Sequence, residues 1–220
     1  MKLKNRNFHR SGGFTLIELL VVIVIIAALA ALSFMFARKG ILKAQQAKTL
    51  QQMRDMGLGV EAFSIDYNRP PIPKTKLDTG WDTIYGDPGG NYGSEVIIGT
   101  LIGEDVDYST ATDETFNPRQ MNPKGENYIM PIIVDDNRSG VGRDDGKFYD
   151  AWGNEIMFAI NTPPFETDFA NGKNDKILHT WGLAEWSDKK PRYQSYALWS
   201  YGNDGTKAET YGGSDDVANF

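Results

Sequence analysis

The sequence predicts an α+β fold in which one long N-terminal helix packs on a small antiparallel β-sheet. Two observations support this prediction. An apolar run near the N-terminus continues into an amphipathic helical pattern, and the segments typical of strands are confined to the second half of the chain. Helices precede strands without β-α-β alternation, which favours an α+β arrangement over a parallel sheet. The 220 residues are enough for one domain with an appended segment.

The first element is an apolar segment from Phe14 to Ala37, whose only charged side chain is Glu18. As a helix its 24 residues would extend about 36 Å, which exceeds the roughly 30 Å of a bilayer's hydrocarbon core. The basic residues before it predict a cytoplasmic N-terminus. Three possibilities follow: a signal peptide cut after the run, an uncut anchor, or a cut between Gly13 and Phe14 that leaves the helix on the mature protein.

The second element is an amphipathic continuation of that helix. Apolar and small residues recur in steps of three and four, with polar residues between them, as is typical of a helix with one buried face. This set is Ala47, Leu50, Met53, Gly57, Val60, Phe63 and Tyr67. The helix should end at Arg69, because the two prolines that follow disfavour helical geometry in the residue before them.

The remaining elements form a globular body. A short helix is predicted over residues 95–102, with Ser94 as its N-cap and Gly103 as its C-terminal stop. Strands are predicted over residues 127–134, 155–161 and 194–200, which are apolar or alternating and are bounded by turn residues. The predicted segments are thus a basic leader (1–13), a transmembrane helix (14–37), its amphipathic continuation (38–69) and the body (70–220).

Composition restricts the chemistry of this body. The chain has no cysteine, and of its two histidines His9 lies in the predicted leader, which leaves His179. No cysteine nucleophile or histidine zinc site can be assembled, and no Ser-His-Asp constellation is apparent. Paired carboxylates are plentiful, but nothing in their spacing favours a glycosidase-like site. We therefore expect that the protein is not an enzyme. The net charge is −6, and because residues 1–13 carry four basic residues and no acid, the rest is more acidic still. Such a body is a poor partner for nucleic acid but is compatible with divalent cations.

The stretch "GGFTLIELLVVIVIIAALAAL" resembles the class III signal of type IV prepilins and type II secretion pseudopilins. In those families a basic leader ends in glycine, the mature chain begins with an N-methylated phenylalanine, and glutamate is its fifth residue. Gly13, Phe14 and Glu18 match this pattern. The resemblance implies cleavage between Gly13 and Phe14 by a prepilin peptidase, followed by methylation of the Phe14 amine. Glu18 would then pair with the Phe14 amine of a neighbouring subunit, which offsets the cost of burying each charge alone.

Two further stretches resemble the major pseudopilin (pseudopilin G) family of type II secretion systems. "FYDAWGNEIMF" is similar to an Asp-Pro-Trp-Gly-Asn turn before a strand, with Ala151 in place of the proline. "WSYGNDGTKAETYGGSDDVANF" is similar to a terminal loop that holds calcium in that family. This resemblance implies Asp204 and either Asp215 or Asp216 as calcium ligands. A third acidic loop, residues 135–146, opens like an EF-hand but has Gly146 where the bidentate glutamate belongs, so we predict a solvated turn there.

Taken together, these resemblances imply a structural subunit of a type II secretion pseudopilus. Its helix would lie in the inner membrane and its body in the periplasm, before polymerisation into a pseudopilus that drives protein export across the outer membrane. Implied partners are further copies of the chain, minor pseudopilins, the peptidase, membrane lipid, and an inner-membrane assembly platform with its ATPase. One alternative is a type IV pilin or minor pilin.

The other alternative is a membrane-tethered ligand- or carbohydrate-binding protein. Exposed aromatic side chains would give such a protein a surface on which sugar rings could stack. The candidates for this surface are Trp181, Trp186, Tyr193 and Trp199. Burial in the core is the favoured interpretation of these residues, because large aromatic side chains gain most by being removed from water.

Overall fold

The computed structural model describes residues 13–77, 80–86, 92–103, 117–162 and 177–220. The chain divides into two compact units, an N-terminal unit (Met1–Leu42) and a C-terminal unit (Lys43–Phe220). The predicted leader lies outside the described residues except for Gly13. The elements in chain order are α1 (Leu16–Tyr67), α2 (Lys74–Leu77), β1 (Thr83–Tyr85), α3 (Glu95–Ile102), α4 (Pro118–Met121), β2 (Ile133–Val134), β3 (Gly140–Gly142), β4 (Phe148–Tyr149), β5 (Met157–Ile160), β6 (Tyr196–Ser200) and β7 (Val217–Ala218). The predicted α+β class is confirmed.

Helix α1 contributes one face to the core of the C-terminal unit. Met53, Val60 and Phe63 are at most 1% exposed, as the spacing of the apolar stripe requires. Ala47, the first member of the predicted stripe, is exposed, so the buried face begins later than expected. The helix ends at Tyr67, two residues before the predicted end.

Two glycines allow α1 to approach its neighbours closely. A Cβ on Gly57 would overlap the Tyr196 ring of β6, and one on Gly59 would overlap the Ile129 side chain. Each glycine costs about 1 kcal/mol of helix propensity relative to alanine. The gain is that the helix backbone lies directly against these side chains, which a larger residue would prevent.

The main sheet has the order β1-β5-β6-β7 and is antiparallel throughout. The strands predicted over 155–161 and 194–200 are confirmed as β5 and β6. Side chains alternate between the two faces of the sheet. Phe158, Ile160 and Leu198 join the core that includes α1. Met157 and Trp199 join a second core on the opposite face, so the sheet is buried on both sides.

A second, smaller sheet has the order β2-β3-β4, and its β2-β3 pair is parallel. The strand predicted over residues 127–134 is wrong for most of its length, since only Ile133–Val134 form a strand. Pro131 lies inside the predicted strand and has no N–H to donate to a ladder. The residues before it pack along α1 instead, where the Tyr128 hydroxyl donates to Asp66 (2.6 Å).

Helix α3 begins and ends at the predicted residues, but the side chain of its N-cap residue does not cap it. Gly103 adopts a left-handed conformation (φ 71°), and its N–H donates to the Gly99 carbonyl. Ser94 occupies the N-cap position, yet its hydroxyl donates to Glu155 (2.8 Å) rather than capping the helix. Glu155 is a buried acid, and a buried carboxylate gains more from a donor than an N-terminal N–H gains from a cap.

Candidate functional sites

The apolar half of α1 has the properties of a membrane-crossing helix by length and composition. Its most apolar 18-residue window has a mean hydropathy of 3.1, and none of that window is buried. Ile17 is 69% exposed and Leu29 59%. Apolar surface of this extent on a monomer marks a surface that another phase or partner covers. The segment is therefore compatible with membrane anchoring.

The predicted cleavage site lies just before this helix. Gly13 and Phe14 precede Leu16, the first helical residue, and Phe14 is 86% exposed. A Cβ added to Gly13 would meet no other residue within 4 Å. None of the described residues therefore blocks the approach of another protein to Gly13. Cleavage and methylation at these residues stay predictions.

Glu18 has a local role that the sequence analysis missed. Its Oε2 accepts hydrogen bonds from the Thr15 backbone N–H (2.8 Å) and hydroxyl (2.7 Å), while its own backbone N–H donates to the Thr15 hydroxyl oxygen (3.2 Å). This reciprocal arrangement is a capping box at the start of α1. The signal was present as Thr-x-x-Glu directly before an apolar run. An assembly role for Glu18 must therefore be tested separately from its role in the cap.

The three predicted calcium ligands lie on one loop but have different environments. Asp216 is 4% exposed, and its Oδ2 accepts from the Trp186 indole N–H (2.6 Å) and the Ala208 N–H (3.0 Å). Burial raises the pKa of Asp216, and the neighbouring charges of Asp215 and Asp204 raise it further. The other oxygen of Asp216, Oδ1, is buried without a hydrogen-bond partner.

Asp215 and Asp204 are engaged by the backbone of the same loop. The Asp215 Oδ2 accepts from the N–H groups of Asn203 (2.6 Å) and Asp204 (3.1 Å), and the Asp204 Oδ1 accepts from the Thr206 N–H (2.9 Å). Among the residues that the structure describes, no group of three or more His, Cys, Asp or Glu is placed to hold a metal ion. Calcium binding at this loop stays a prediction, with the orphaned Asp216 oxygen as its one structural support.

Acidic side chains of the loop at 135–146 accept hydrogen bonds from residues of the same loop and of the chain that follows it into β4. The Asp135 Oδ1 accepts from the Arg143 Nε (2.6 Å), in an ion pair whose members are both largely exposed. The Asp145 carboxylate accepts from the Tyr149 hydroxyl (2.5 Å) and the Lys147 N–H (3.1 Å). These bonds hold the turn between β3 and β4 and give the loop a structural role.

Asp150, in the turn that resembles the pseudopilin motif, organises the connection into β5. It is fully buried, and its Oδ1 accepts from three consecutive N–H groups at 2.8–2.9 Å. Its Oδ2 accepts from the Ser200 hydroxyl of β6 (2.5 Å). The three N–H groups belong to Trp152, Gly153 and Asn154. One carboxylate therefore fixes the turn and ties it to β6, an inner strand of the main sheet.

The aromatic residues considered for a sugar-binding surface divide into two groups. Trp186 and Trp199 are at most 1% exposed, whereas Trp181 is 56% and Tyr193 is 74% exposed. The expectation of core packing is thus correct for the first pair and wrong for the second. Trp181 and Tyr193 both adopt left-handed backbone conformations (φ 54° and 52°).

Comparison with known proteins adds one match. Residues 8–34 match the family model of the prokaryotic N-terminal methylation motif, a segment that contains Gly13, Phe14 and Glu18. No curated protein and no solved structure matches the chain. The matched motif belongs to structural, pilin-like proteins and implies processing by a prepilin peptidase and assembly with other subunits. The N-terminal segment therefore carries a methylation motif of the type IV prepilin-like kind, which indicates the class that includes pilins and pseudopilins.

Proposed function

We propose that the protein is a structural subunit of a type II secretion pseudopilus. The observation that carries the proposal is the methylation motif at the head of an apolar helical segment, none of whose most apolar 18 residues is buried. Two features of the sequence favour a secretion system over a true pilus: the absence of cysteine and the Asp-rich ending that resembles the major pseudopilin. A type IV pilin is the second candidate, because the same motif serves both classes.

The proposed assembly follows from what the apolar helix requires. Before assembly, lipid covers this surface, and the C-terminal unit lies in the periplasm. In the fibre, the same helices of neighbouring copies replace the acyl chains, so the transfer exposes no apolar surface to water. After cleavage, the amine of Phe14 lies in an apolar zone and pairs with Glu18 of a neighbour, because either charge alone would be costly there. An assembly platform and its ATPase, with minor pseudopilins, complete the machinery.

Processing is tested by the intact mass and N-terminal sequence of the protein purified from membranes. We expect a chain that begins at Phe14 and carries one added methyl group. A matched preparation from cells without the prepilin peptidase should retain the leader. A chain that begins after the apolar run would instead identify an ordinary exported protein and would contradict the proposal.

We also propose that the loop carrying Asp204, Asp215 and Asp216 binds calcium. The support is the buried, unpartnered Oδ1 of Asp216, beside which Asp215 and Asp204 bring further negative charge. Calcium takes carboxylate and carbonyl oxygens as ligands, and a cation beside Asp216 would reverse the electrostatic cost of burying it. The bound ion would fasten this loop to the second core through Trp186.

This calcium proposal predicts a change in thermal stability. Adding a chelator to the full-length protein in detergent should lower its melting temperature by several degrees, because a ligand that binds only the folded state stabilises it. Asp216→Asn should abolish the response, whereas Asp144→Asn, at an exposed acid of another loop, should retain it. An unchanged melting temperature of the wild-type protein after chelation would overturn the proposal.

A further inference from the structure

The charges on the part of α1 within the C-terminal unit are segregated along the helix. Between Lys43 and Arg54 the helix carries Lys48 as well and no acid; from Asp55 to its end it carries acids and no Lys or Arg. This order opposes the helix dipole, which favours cations in the last turns and anions in the first. The segregation therefore does not serve the stability of the isolated helix.

Among the residues that the structure describes, all of these charges except Asp66 lack a partner of opposite sign. Lys43, Lys48 and Arg54 are exposed and take part in none of the ion pairs that the structure describes. Of the acids, Asp55 accepts from Gln51 on its own helix (2.8 Å), and Glu61 interacts with the neutral Tyr196 hydroxyl. Asp66 differs, because Lys124 neutralises it (2.8 Å). Spacing prevents pairing along the helix, since no Lys or Arg lies three or four residues from Asp55 or Glu61.

The same outer face of α1 carries apolar residues that the chain does not cover. Leu58 is 62% and Ile65 is 83% exposed, and both lie among the acids. The basic part of the face instead presents the small side chains of Ala44 and Ala47, which are exposed. Large apolar side chains at one end and small ones at the other are complementary in shape, as knobs and holes are in packed helices.

We propose that this outer face is an interface between two copies of the chain, in which the basic stretch of one helix docks on the acidic stretch of the next. The inference rests on the proposed function for one point: copies that leave the same membrane have parallel helices. Parallel helices bring the two stretches together only when offset by 12–13 residues, about 18–20 Å at about 1.5 Å per residue. That offset places Lys43 opposite Asp55 and Lys48 opposite Glu61. It also places Leu58 over the gap between Ala44 and Ala47.

Cysteine cross-linking tests this register, since the natural chain has no cysteine. In the full-length chain carrying both Lys43→Cys and Asp55→Cys, the two sites are about 18 Å apart on one helix, whereas a disulfide needs Cα atoms within about 7 Å. Every disulfide must therefore join two copies. We expect mild oxidation of membranes to give a ladder of dimers, trimers and larger species. The control pair Lys43→Cys with Ile65→Cys, at another exposed position of α1, does not match the proposed offset and should give none.

Charge exchange provides a second test with a different readout. Lys48→Glu and Glu61→Lys should each lower the yield of fibre about fivefold, the size expected for one repelling exposed pair, and the double variant should restore it. Lys74→Glu, at an exposed cation outside α1, should have no effect. Because Glu61→Lys also loses the contact with Tyr196, restoration by the double variant is the diagnostic result.

The outcomes separate this inference from the proposed function. The register would be overturned, and the proposed function left intact, by either of two results. In one, fibres form but the Lys43→Cys, Asp55→Cys variant gives no ladder; in the other, the control pair gives an equal ladder. A ladder in membranes that never yield fibres would support the interface and contradict the pseudopilus. The absence of both fibres and ladder would overturn both.

Discussion

Glu18→Gln is expected to lower incorporation into fibres more than tenfold. Glutamine can still complete the capping box with Thr15, so the start of α1 is preserved while the negative charge is lost. The amine of a neighbouring Phe14 would then lie in the apolar fibre core without a counter-charge. Breaking a buried ion pair by removing one partner costs about 3–5 kcal/mol. The measurement is the fraction of the chain that sediments with sheared fibres.

The matched control for Glu18→Gln breaks the cap and keeps the charge. Thr15→Ala removes the hydroxyl that bonds Glu18, which should cost about 1 kcal/mol at the helix start and reduce incorporation only slightly. Normal incorporation of Glu18→Gln would show that Glu18 serves the cap and not a pairing between copies. The two variants thus separate roles that Glu18→Ala would confound.

Asp150→Ala is expected to destabilise the C-terminal unit by about 3–5 kcal/mol, because it leaves three N–H donors and a serine hydroxyl without their buried acceptor. The loss is large since all four donors converge on one carboxylate. Urea unfolding of the full-length protein in detergent, followed by tryptophan fluorescence, measures it. Trp186 and Trp199 in the second core make the signal sensitive to loss of packing.

Two comparisons strengthen the Asp150 experiment. Asp144→Ala, at an exposed acid, should change the free energy of unfolding by no more than about 0.5 kcal/mol. Asp150→Asn should give an intermediate loss, because its amide oxygen can accept part of the network while its NH₂ group meets other donors. A loss below about 1 kcal/mol for Asp150→Ala would show that water or a backbone shift satisfies these donors.

Much of the architecture follows from local patterns in the sequence. The apolar stripe of α1 and the alternation in β5 and β6 each span enough residues for a period to be read, and all three elements form within two residues of their predicted ends. The two-residue strands β2, β4 and β7 are too short to show a period. Their positions depend on partners distant in the chain, which local patterns do not reveal.

The candidate sites divide in a similar way. Gly13, Phe14 and Glu18 belong to one contiguous motif, and a match to a family model supports it. The environment of Asp216 could not be predicted, because it depends on Trp186, which is 30 residues away in the chain. For Ser94 the position was predicted correctly and the contact was not. Ser94 lies at the helix start as expected, but its hydroxyl donates to Glu155, a buried acid just before β5 that is distant in the chain.

The two faces of the main sheet are covered by different kinds of structure, and they should therefore open with different free energies. On one face, α1 and α3 contribute hydrogen-bonded turns and side chains such as Phe63 and Leu101. On the other, the cover is the irregular chain around Leu178, Ala184 and Trp186. Irregular segments with few backbone bonds exchange their amide hydrogens through local opening. Partial unfolding of the folded subunit would thus begin on the face that the irregular chain covers, while α1 remains packed on the other face of the sheet.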